Sequence, residues 1–253
     1  LMAGELVLFK YNNFKYEHYY KYFGEVINKS VDEYLIELTE VTLNIFRRMI
    51  NQIGNRQIVI PLSGGHDSRL IASILNYLGV KNVKCYTYGT PGNFEAKIAK
   101  KIAKKLGYDW RFVPLTYKSE KKYYNSNEYK DYLNFSESYS SVPFIQSLSS
   151  IKYLKDINWI NNDAIFINGL SGDFISGGHA DIKNRYSNQK ATLNSRKKDI
   201  LIQLIEKHFS LWGYLKTDQN LYKIKHNLWN EINKGCGNLE NNEKQDHLFF
   251  EYS

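Results

Sequence analysis

The fold of this chain is indicated by one short stretch, Ser63-Gly64-Gly65-His66-Asp67-Ser68. An apolar run at residues 58–62 precedes it, and an amphipathic run at residues 70–78 follows it. This order predicts a strand, a glycine turn and the start of a helix. The main-chain N–H groups of such a turn, together with the positive end of the helix dipole, form a concavity that suits a phosphate chain. The stretch therefore predicts a nucleotide site, and the alternative is that its Ser, Asp and Gly are ordinary loop residues.

The helix after this turn is indicated by apolar residues at helical spacing and by Gly79 as a left-handed stop. We expect Asp67 or Ser68 to cap its first turn. The residues expected to share its buried face are Leu70, Ile71, Ile74, Leu75 and Leu78.

The turn lacks the Lys that precedes Ser or Thr in a Walker A phosphate loop, which argues against a kinase-type or GTPase-type site. It resembles instead the pyrophosphate loop of the N-type ATP pyrophosphatases. With Pro61-Leu62 before it and Leu70-Ile71-Ala72 after it, it is most similar to the asparagine synthetase branch. In that family the loop holds the β- and γ-phosphates of ATP while a substrate attacks the α-phosphorus, which leaves an adenylated intermediate and pyrophosphate.

A second strand and a second helix follow at suitable distances. Residues 84–89 read as the strand, about two dozen residues after the first one, which is a suitable length for a βαβ crossover. Residues 93–107 read as the helix, with Asn93 as its cap and a Glu-x3-Ala-x3-Ala-x2-Leu-Gly pattern that resembles asparagine synthetase-like enzymes. Its small and apolar residues are predicted to face inward and five lysines outward: Lys97, Lys100, Lys101, Lys104 and Lys105.

A third segment, residues 164–179, is an apolar strand that leads into a glycine-rich loop containing Asp173. It resembles the second ATP loop of the family, whose aspartate shares a Mg²⁺ ion with the aspartate of the first loop. The resemblance therefore implies that Asp67 and Asp173 hold Mg²⁺, an ion that prefers oxygen ligands and usually takes one or two carboxylates with phosphates and water. Taken alone, Asp173 could be a simple turn residue.

The resemblance also assigns residues to the two ends of ATP. The residues implied for pyrophosphate are Ser63, Gly64, Gly65, Asp67 and Ser68. The residues implied for the adenosine are Leu62, Tyr88, Gly89, Asn168 and Gly169.

Four positions depart from the family pattern. Leu170 stands where an acidic residue is usual, and Phe174 replaces the usual Glu after the metal-binding Asp. His66 is interpreted as a variable loop residue that faces solvent. Arg69 lies in the first helical turn, where its guanidinium could pair with pyrophosphate or with a substrate carboxylate, or have a structural role. Arg69 is therefore a catalytic candidate together with Asp67 and Asp173.

Length and composition are consistent with an α/β chain that has one large core. With 253 residues and 43% hydrophobic content, the chain can bury a substantial single core. The strands, helices and loops described above predict a Rossmann-like, mostly parallel sheet flanked by helices, with a helical C-terminal part. Residues 1–30 resemble the connector that follows a glutaminase domain, and residues 31–253 resemble the synthetase domain. In the family, residues that bind substrate lie beyond the position that corresponds to residue 253. We therefore expect this chain to be either a fragment of a longer enzyme or a diverged enzyme.

The remaining composition bears on compartment and partners. Cys85 and Cys236 form no C-x-x-C motif, which argues against structural zinc and persulfide chemistry, and Cys85 is expected in the core. No signal peptide or long apolar run is visible, so no membrane partner is expected and a cytoplasmic location is predicted. The net charge of +8 would suit nucleic acid, but the lysines are interpreted as solvated helix faces.

Together these features predict an AMP-forming carbon–nitrogen ligase that uses ATP and Mg²⁺. A small-molecule carboxylate would be activated as its acyl-adenylate, and ammonia or an amine would then displace AMP. A separate ammonia source or glutaminase domain is a possible partner. The alternatives are a tRNA-modifying ATP pyrophosphatase and a nucleotide-binding protein without turnover.

Overall fold

The structure is a computed structural model that describes residues 4–20, 28–136, 144–170, 172, 201–202, 204–206, 209 and 213–235. The chain divides into two compact units. One comprises Lys29–Gly172, and the other comprises Leu1–Asn28 with Asp173–Ser253. The predicted boundary at residue 30 remains a prediction.

Near the N-terminus the chain forms an antiparallel hairpin of β1 (Glu5–Lys10) and β2 (Asn13–His18). Its two-residue turn has positive φ at both Tyr11 (48°) and Asn12 (62°), which is the backbone twist that tight hairpins require. Across the hairpin the rings of Phe9 and Phe14 stack with their centroids 6.1 Å apart. A hairpin thus occupies the middle of the segment predicted as a connector.

Lys29–Gly172 contains a sheet of four parallel strands, β3 (Ile58–Pro61), β4 (Val83–Gly89), β5 (Asp109–Pro114) and β6 (Ile165–Phe166). Their order in the sheet is β5-β4-β3-β6. From the central strand β3 the chain passes outward through β4 to β5, and β6 then pairs with the opposite edge of β3. The predicted parallel, Rossmann-like α/β fold is thereby confirmed.

Helices cover both faces of this sheet because successive residues of β3 point in opposite directions. The described helices of this unit are α1 (Val31–Ile53), α2 (His66–Tyr77), α3 (Phe94–Leu106), α4 (Tyr117–Tyr124), α5 (Asn127–Ser136) and α6 (Leu148–Asp156). Ile58, Ile60 and Leu62 pack among apolar residues of α1, α2 and α3, whereas Val59 packs with Leu154 of α6 on the other face.

Helix α3 agrees with the sequence prediction. The Asn93 side chain caps it by accepting a hydrogen bond from the Glu95 N–H, and Gly107 ends it in the left-handed conformation. Ala96, Ala99 and Ala103 are buried, and the five predicted lysines are exposed.

Helix α2 departs from the prediction at two points. Its N-cap is Gly65, without a side-chain cap hydrogen bond, so Asp67 and Ser68 lie inside the first turn and do not cap it. Leu70 is 56% exposed, and Ser68 lies buried on the helix face turned toward the sheet. The predicted inward position of Leu70 was therefore wrong, because the strand-to-helix turn is tight enough to bring Ser68 against the end of β3.

In the other unit, Leu201, Leu204 and Ile205 are buried helical residues. A 3₁₀ turn (Gly213–Leu215) and helix α7 (Asp218–Gly235) follow them. Among the residues that the structure describes, no helix is both long enough and apolar enough to cross a membrane.

Candidate nucleotide site

The two predicted ATP loops follow neighbouring strands. The first loop begins after β3, the second after β6, and these strands pair directly in the sheet. Since the strands are parallel, both loops lie at the carboxyl edge, at the point where the strand order reverses. Ligands of doubly wound sheets bind in the crevice at such a switch point.

The first loop is held in shape by two serine hydroxyls. The Ser63 N–H donates to Ser68 Oγ at 3.1 Å, and the two hydroxyl oxygens are also 3.1 Å apart. The Gly65 N–H donates to Ser63 Oγ at 3.1 Å. Because Ser68 is only 6% exposed, its hydroxyl ties the loop to the first turn of α2 with little access for water, whereas the bond from Gly65 is exposed.

The first N–H groups of α2 lie at the same edge of the sheet. In the described part of the chain, no hydrogen-bond partner is found for the N–H groups of His66, Asp67 or Ser68. The first N–H groups of a helix have no partner within the helix and carry its positive dipole end. This end of α2 can therefore accept an anion.

Arg69 folds back over the same loop. Its Nη2 donates to the carbonyl oxygen of Gly64 at 2.7 Å. Its Nε is buried and finds no partner among the described residues. The guanidinium is thus held by the main chain of the loop, which adds a positive charge beside the N–H groups.

The second loop rests on Asp67. A Cβ placed on Gly169 would lie 2.8 Å from Asp67 Cβ and 3.0 Å from the Ser68 nitrogen. A Cβ on Gly172 would overlap the Asp67 carboxylate. The Gly172 N–H donates to the Gly169 carbonyl at 3.0 Å, which closes a turn against the carboxylate. Only residues without a side chain permit this approach.

Three residues implied for the adenosine flank the crevice differently. Leu62 is buried, its N–H donates to the Tyr86 carbonyl, and its carbonyl accepts from Thr87 Oγ1, so its groups are engaged within the fold. Tyr88 is half-buried, and burial raises the pKa of its phenol. Gly89 ends β4 with φ of 142° and lies near Asn93. Their contact with adenosine stays a prediction.

The remaining predicted residues have different placements. Asn168 is exposed, and its Oδ1 accepts from the Leu170 N–H at 3.2 Å. His66 is exposed, as expected, and Leu170 is 64% exposed. Asp173 and Phe174 lie outside the described residues. In the part of the chain that the structure describes, no three His, Cys, Asp or Glu side chains group as a metal site, and Asp67 has no ion-pair partner.

Sequence reasoning missed Thr87, which braces the start of the first loop. Its Oγ1 donates to the Leu62 carbonyl at 2.6 Å and accepts from Trp110 Nε1 at 3.0 Å. This links β3, β4 and β5 through one buried hydroxyl, and Trp110 lies near the amino end of β5. The available signal was a single Thr among apolar and aromatic residues of a buried strand, Val83–Gly89.

The family model for asparagine synthase matches residues 49–244, which is most of the chain. The chain belongs to the asparagine synthase family. Asparagine synthase domains form an ATP-utilising, amide-forming ligase family that generally uses Mg²⁺, and its substrates are small molecules. The predicted family is thereby confirmed, since the matched region contains both loops.

A solved structure that matches this chain is the NH3-dependent NAD synthetase from Campylobacter jejuni in complex with the nitrate ion. It is 12% identical, covers 81% of this chain and 96% of its own, and has a TM-score of 0.37. At that score the likeness carries no functional assignment. Among curated proteins, no relative matches this chain.

Proposed function

We propose that this member of the asparagine synthase family is an AMP-forming ligase that joins a carboxylate to ammonia or an amine. The observation that supports the proposal is the contact of the two loops at Asp67, beside a helix start whose N–H groups have no partner among the described residues. An anion-accepting helix start and a carboxylate at one sheet edge are the features that a bound Mg²⁺–pyrophosphate group requires.

In this proposal the first loop holds the pyrophosphate part of ATP. The N–H groups at the start of α2 donate to phosphate oxygens, and Arg69 adds positive charge at the same end. These dipoles are already oriented by the serine network, so little reorganisation accompanies the reaction. The residues proposed for pyrophosphate are Ser63, Gly64, Gly65, Asp67 and Ser68.

The donor chemistry of Asp67 suits Mg²⁺. The Asp67 carboxylate has no ion-pair partner among the described residues and lies beside the main chain of Gly172, the residue before Asp173. We propose that Asp67 and Asp173 hold Mg²⁺, which when bound would neutralise negative charge on the phosphates.

The adenosine would lie along the carboxyl ends of β3, β4 and β6. Tyr88 and Gly89 end β4, and Asn168 and Gly169 open the second loop. Leu62 follows β3 directly, and its main-chain N–H and carbonyl are already paired within the fold. Its contribution to the adenosine site would therefore come from its position at the end of the strand.

The proposed reaction has two displacements. A carboxylate oxygen of the substrate attacks the α-phosphorus, and the bond from that phosphorus to the bridging oxygen of pyrophosphate breaks. The nitrogen of ammonia or an amine then attacks the acyl carbon, loses a proton, and releases AMP. Leu170, exposed where the family usually has an acidic residue, indicates an acceptor that needs no carboxylate contact at this position.

The test is calorimetry of MgATP binding to the wild type and to Asp67→Ala, with AMP and pyrophosphate assayed in the same samples across a panel of carboxylates. Asp163→Ala is the matched control, because Asp163 is exposed just before β6, at the amino edge of the sheet. We expect MgATP binding that Asp67→Ala weakens and Asp163→Ala leaves unchanged, with AMP formed in the presence of the right carboxylate. ADP as the product, or no MgATP binding by folded wild type, would contradict the proposal.

Helix α3 favours a second candidate, a tRNA-modifying ATP pyrophosphatase. All five of its outward lysines are exposed, and its first turns reach the first loop, since a Cβ on Gly64 would lie 3.4 Å from Ile98 Cδ1. Salt-sensitive tRNA binding that is lost in the double variant Lys101→Glu, Lys105→Glu would support this candidate. Unchanged tRNA binding in that variant would remove the helix as the contact surface.

A further inference from the structure

The peptide bond between Gly64 and Gly65 is held at both of its polar groups. Arg69 Nη2 donates to the Gly64 carbonyl at 2.7 Å, and the Gly65 N–H donates to Ser63 Oγ at 3.1 Å. The carbonyl and N–H of a trans peptide point in opposite directions. Arg69 and Ser63 therefore fix the orientation of this peptide plane from opposite sides.

The two adjacent glycines make these hydrogen bonds necessary. Without a Cβ on either side, this peptide plane can rotate between orientations that other residues exclude. A rotated plane would turn the negative end of the carbonyl dipole away from Arg69 and free the Gly65 N–H from Ser63. A carbonyl oxygen facing a bound anion would oppose binding, whereas N–H groups favour it.

The Arg69 side chain is held in place by its hydrogen bond to the Gly64 carbonyl. It stands in the first turn of α2 and reaches back five residues along the chain to Gly64. Its Nε is buried without a partner among the described residues, a desolvation cost that the charge-assisted bond to Gly64 offsets. A guanidinium that served only to attract phosphate would gain by leaving its donors open to the ligand.

We propose that Arg69 is a positioning residue that holds the Gly64 carbonyl away from the anion, and that it acts through the loop and not as a phosphate ligand. The expected effect of Arg69 on MgATP binding rests on the proposed function. The orientation of the loop is a property of the protein without nucleotide, so it can be measured separately.

The test compares Arg69→Met, which keeps the apolar stem and removes the donors, with Arg69→Lys, which retains a charged donor. Arg56→Met is the matched control, because Arg56 also donates to main-chain carbonyls, those of Ile53 and Gln52 at the end of α1. Two quantities are measured on each protein: the exchange rate of the Gly65 amide by NMR without nucleotide, and the dissociation constant of MgATP.

We expect Arg69→Met to raise the exchange rate of the Gly65 amide about tenfold in the absence of nucleotide and to weaken MgATP by a similar factor. For Arg69→Lys, the Gly65 exchange rate and the dissociation constant of MgATP should both lie between those of the wild type and Arg69→Met, because its ammonium can donate to the same carbonyl. Arg56→Met should change neither. If Arg69→Met does not fold, the comparison of Arg69→Lys with wild type gives the same reading.

Weakened MgATP binding with an unchanged Gly65 exchange rate would overturn the inference, because Arg69 would then contact the nucleotide directly. An unchanged exchange rate and unchanged binding would also overturn it. A third result is that the wild type binds no MgATP while the Gly65 amide exchanges faster in Arg69→Met than in the wild type. That result would support the loop-holding role and contradict the proposed function. The two proposals can therefore fail independently.

Discussion

Gly169 lies directly against Asp67, so that a Cβ on the glycine would fall 2.8 Å from the Cβ of the aspartate. The two residues belong to loops that are distant in sequence and follow neighbouring strands, β6 and β3. Real Cβ atoms do not approach that closely, so the contact requires glycine. The close approach brings the second loop to the carboxylate proposed to hold Mg²⁺.

The first prediction concerns Gly169→Ala. Its backbone φ is not in the left-handed region, so the added methyl acts through contact with Asp67 and with the Ser68 nitrogen. We expect the second loop to be displaced and MgATP binding to weaken about tenfold or more, with a loss of about 1–3 kcal/mol in the free energy of unfolding. Calorimetry and urea titration measure these quantities.

Gly213→Ala is the control for this substitution, because a Cβ on Gly213 meets nothing within 4 Å. It should leave MgATP binding unchanged. Equal effects of the two substitutions would show that the contact between Gly169 and Asp67 does not govern binding.

The second prediction concerns Ser68→Ala. The Ser68 hydroxyl accepts from the Ser63 N–H and bonds Ser63 Oγ, and it is nearly inaccessible to water. Its removal leaves a part-buried N–H without a partner, which should lower the free energy of unfolding by about 1–3 kcal/mol. Ser136→Ala, which removes a hydroxyl bonded to carbonyls of its own helix, should cost only a few tenths of a kcal/mol. Urea titrations that gave equal losses would contradict the bridging role.

The third prediction concerns Thr87→Val, which keeps the side-chain shape and removes the hydroxyl. The Leu62 carbonyl and the Trp110 indole N–H would both lose their partner, so we expect a loss of about 1–3 kcal/mol in the free energy of unfolding. Thr39→Val is the control, because the Thr39 hydroxyl is exposed and donates to the Leu35 carbonyl within α1. A Thr87→Val protein as stable as this control would show that the three strands need no shared hydroxyl.

The fourth prediction concerns stability in alkali. Burial raises the pKa of the Cys85 thiol from its ordinary value of 9.0 to about 12. The folded protein then holds this proton more tightly than the unfolded chain. The stabilisation is fully present below pH 9.0 and is lost as the pH rises toward about 12. Within that window each pH unit should cost about 1.4 kcal/mol of unfolding free energy from this group.

The measurement is the free energy of unfolding by urea across that pH range, for wild type and for Cys85→Ala. Burial also raises the pKa of Tyr86 and Tyr108 to about 12, so part of the alkaline slope should remain in the variant. The slope, and not the absolute stability, is compared, because the substitution also removes core volume. Identical slopes would contradict a contribution from Cys85.

Much of the fold could be predicted from local pattern. The inward alanines and outward lysines of α3, its Asn93 cap and its Gly107 stop all follow from helical spacing and backbone preference. The burial of Cys85 follows from its place in an apolar strand. These features depend on residues a few positions apart, for which periodicity is a direct signal.

The same reasoning failed where packing between distant segments decides. Leu70 has helical spacing for the core but is exposed, and Ser68 is buried in its place. Spacing identifies an apolar face, but it does not say how closely the helix start approaches the preceding strand. That approach depends on the Ser63 network and on Thr87, which no local pattern indicates.

By itself the sequence determined the parallel α/β class, the two glycine-rich loops and the resemblance to asparagine synthetases, because strands, turns and helix starts are encoded by neighbouring residues. Only the tertiary structure decided that β6 pairs with β3 and that Gly169 meets Asp67. It also decided that Arg69 turns back to the Gly64 carbonyl. Strand order and loop contact depend on which buried surfaces fit together across the whole unit, and that information is not contained in any single segment.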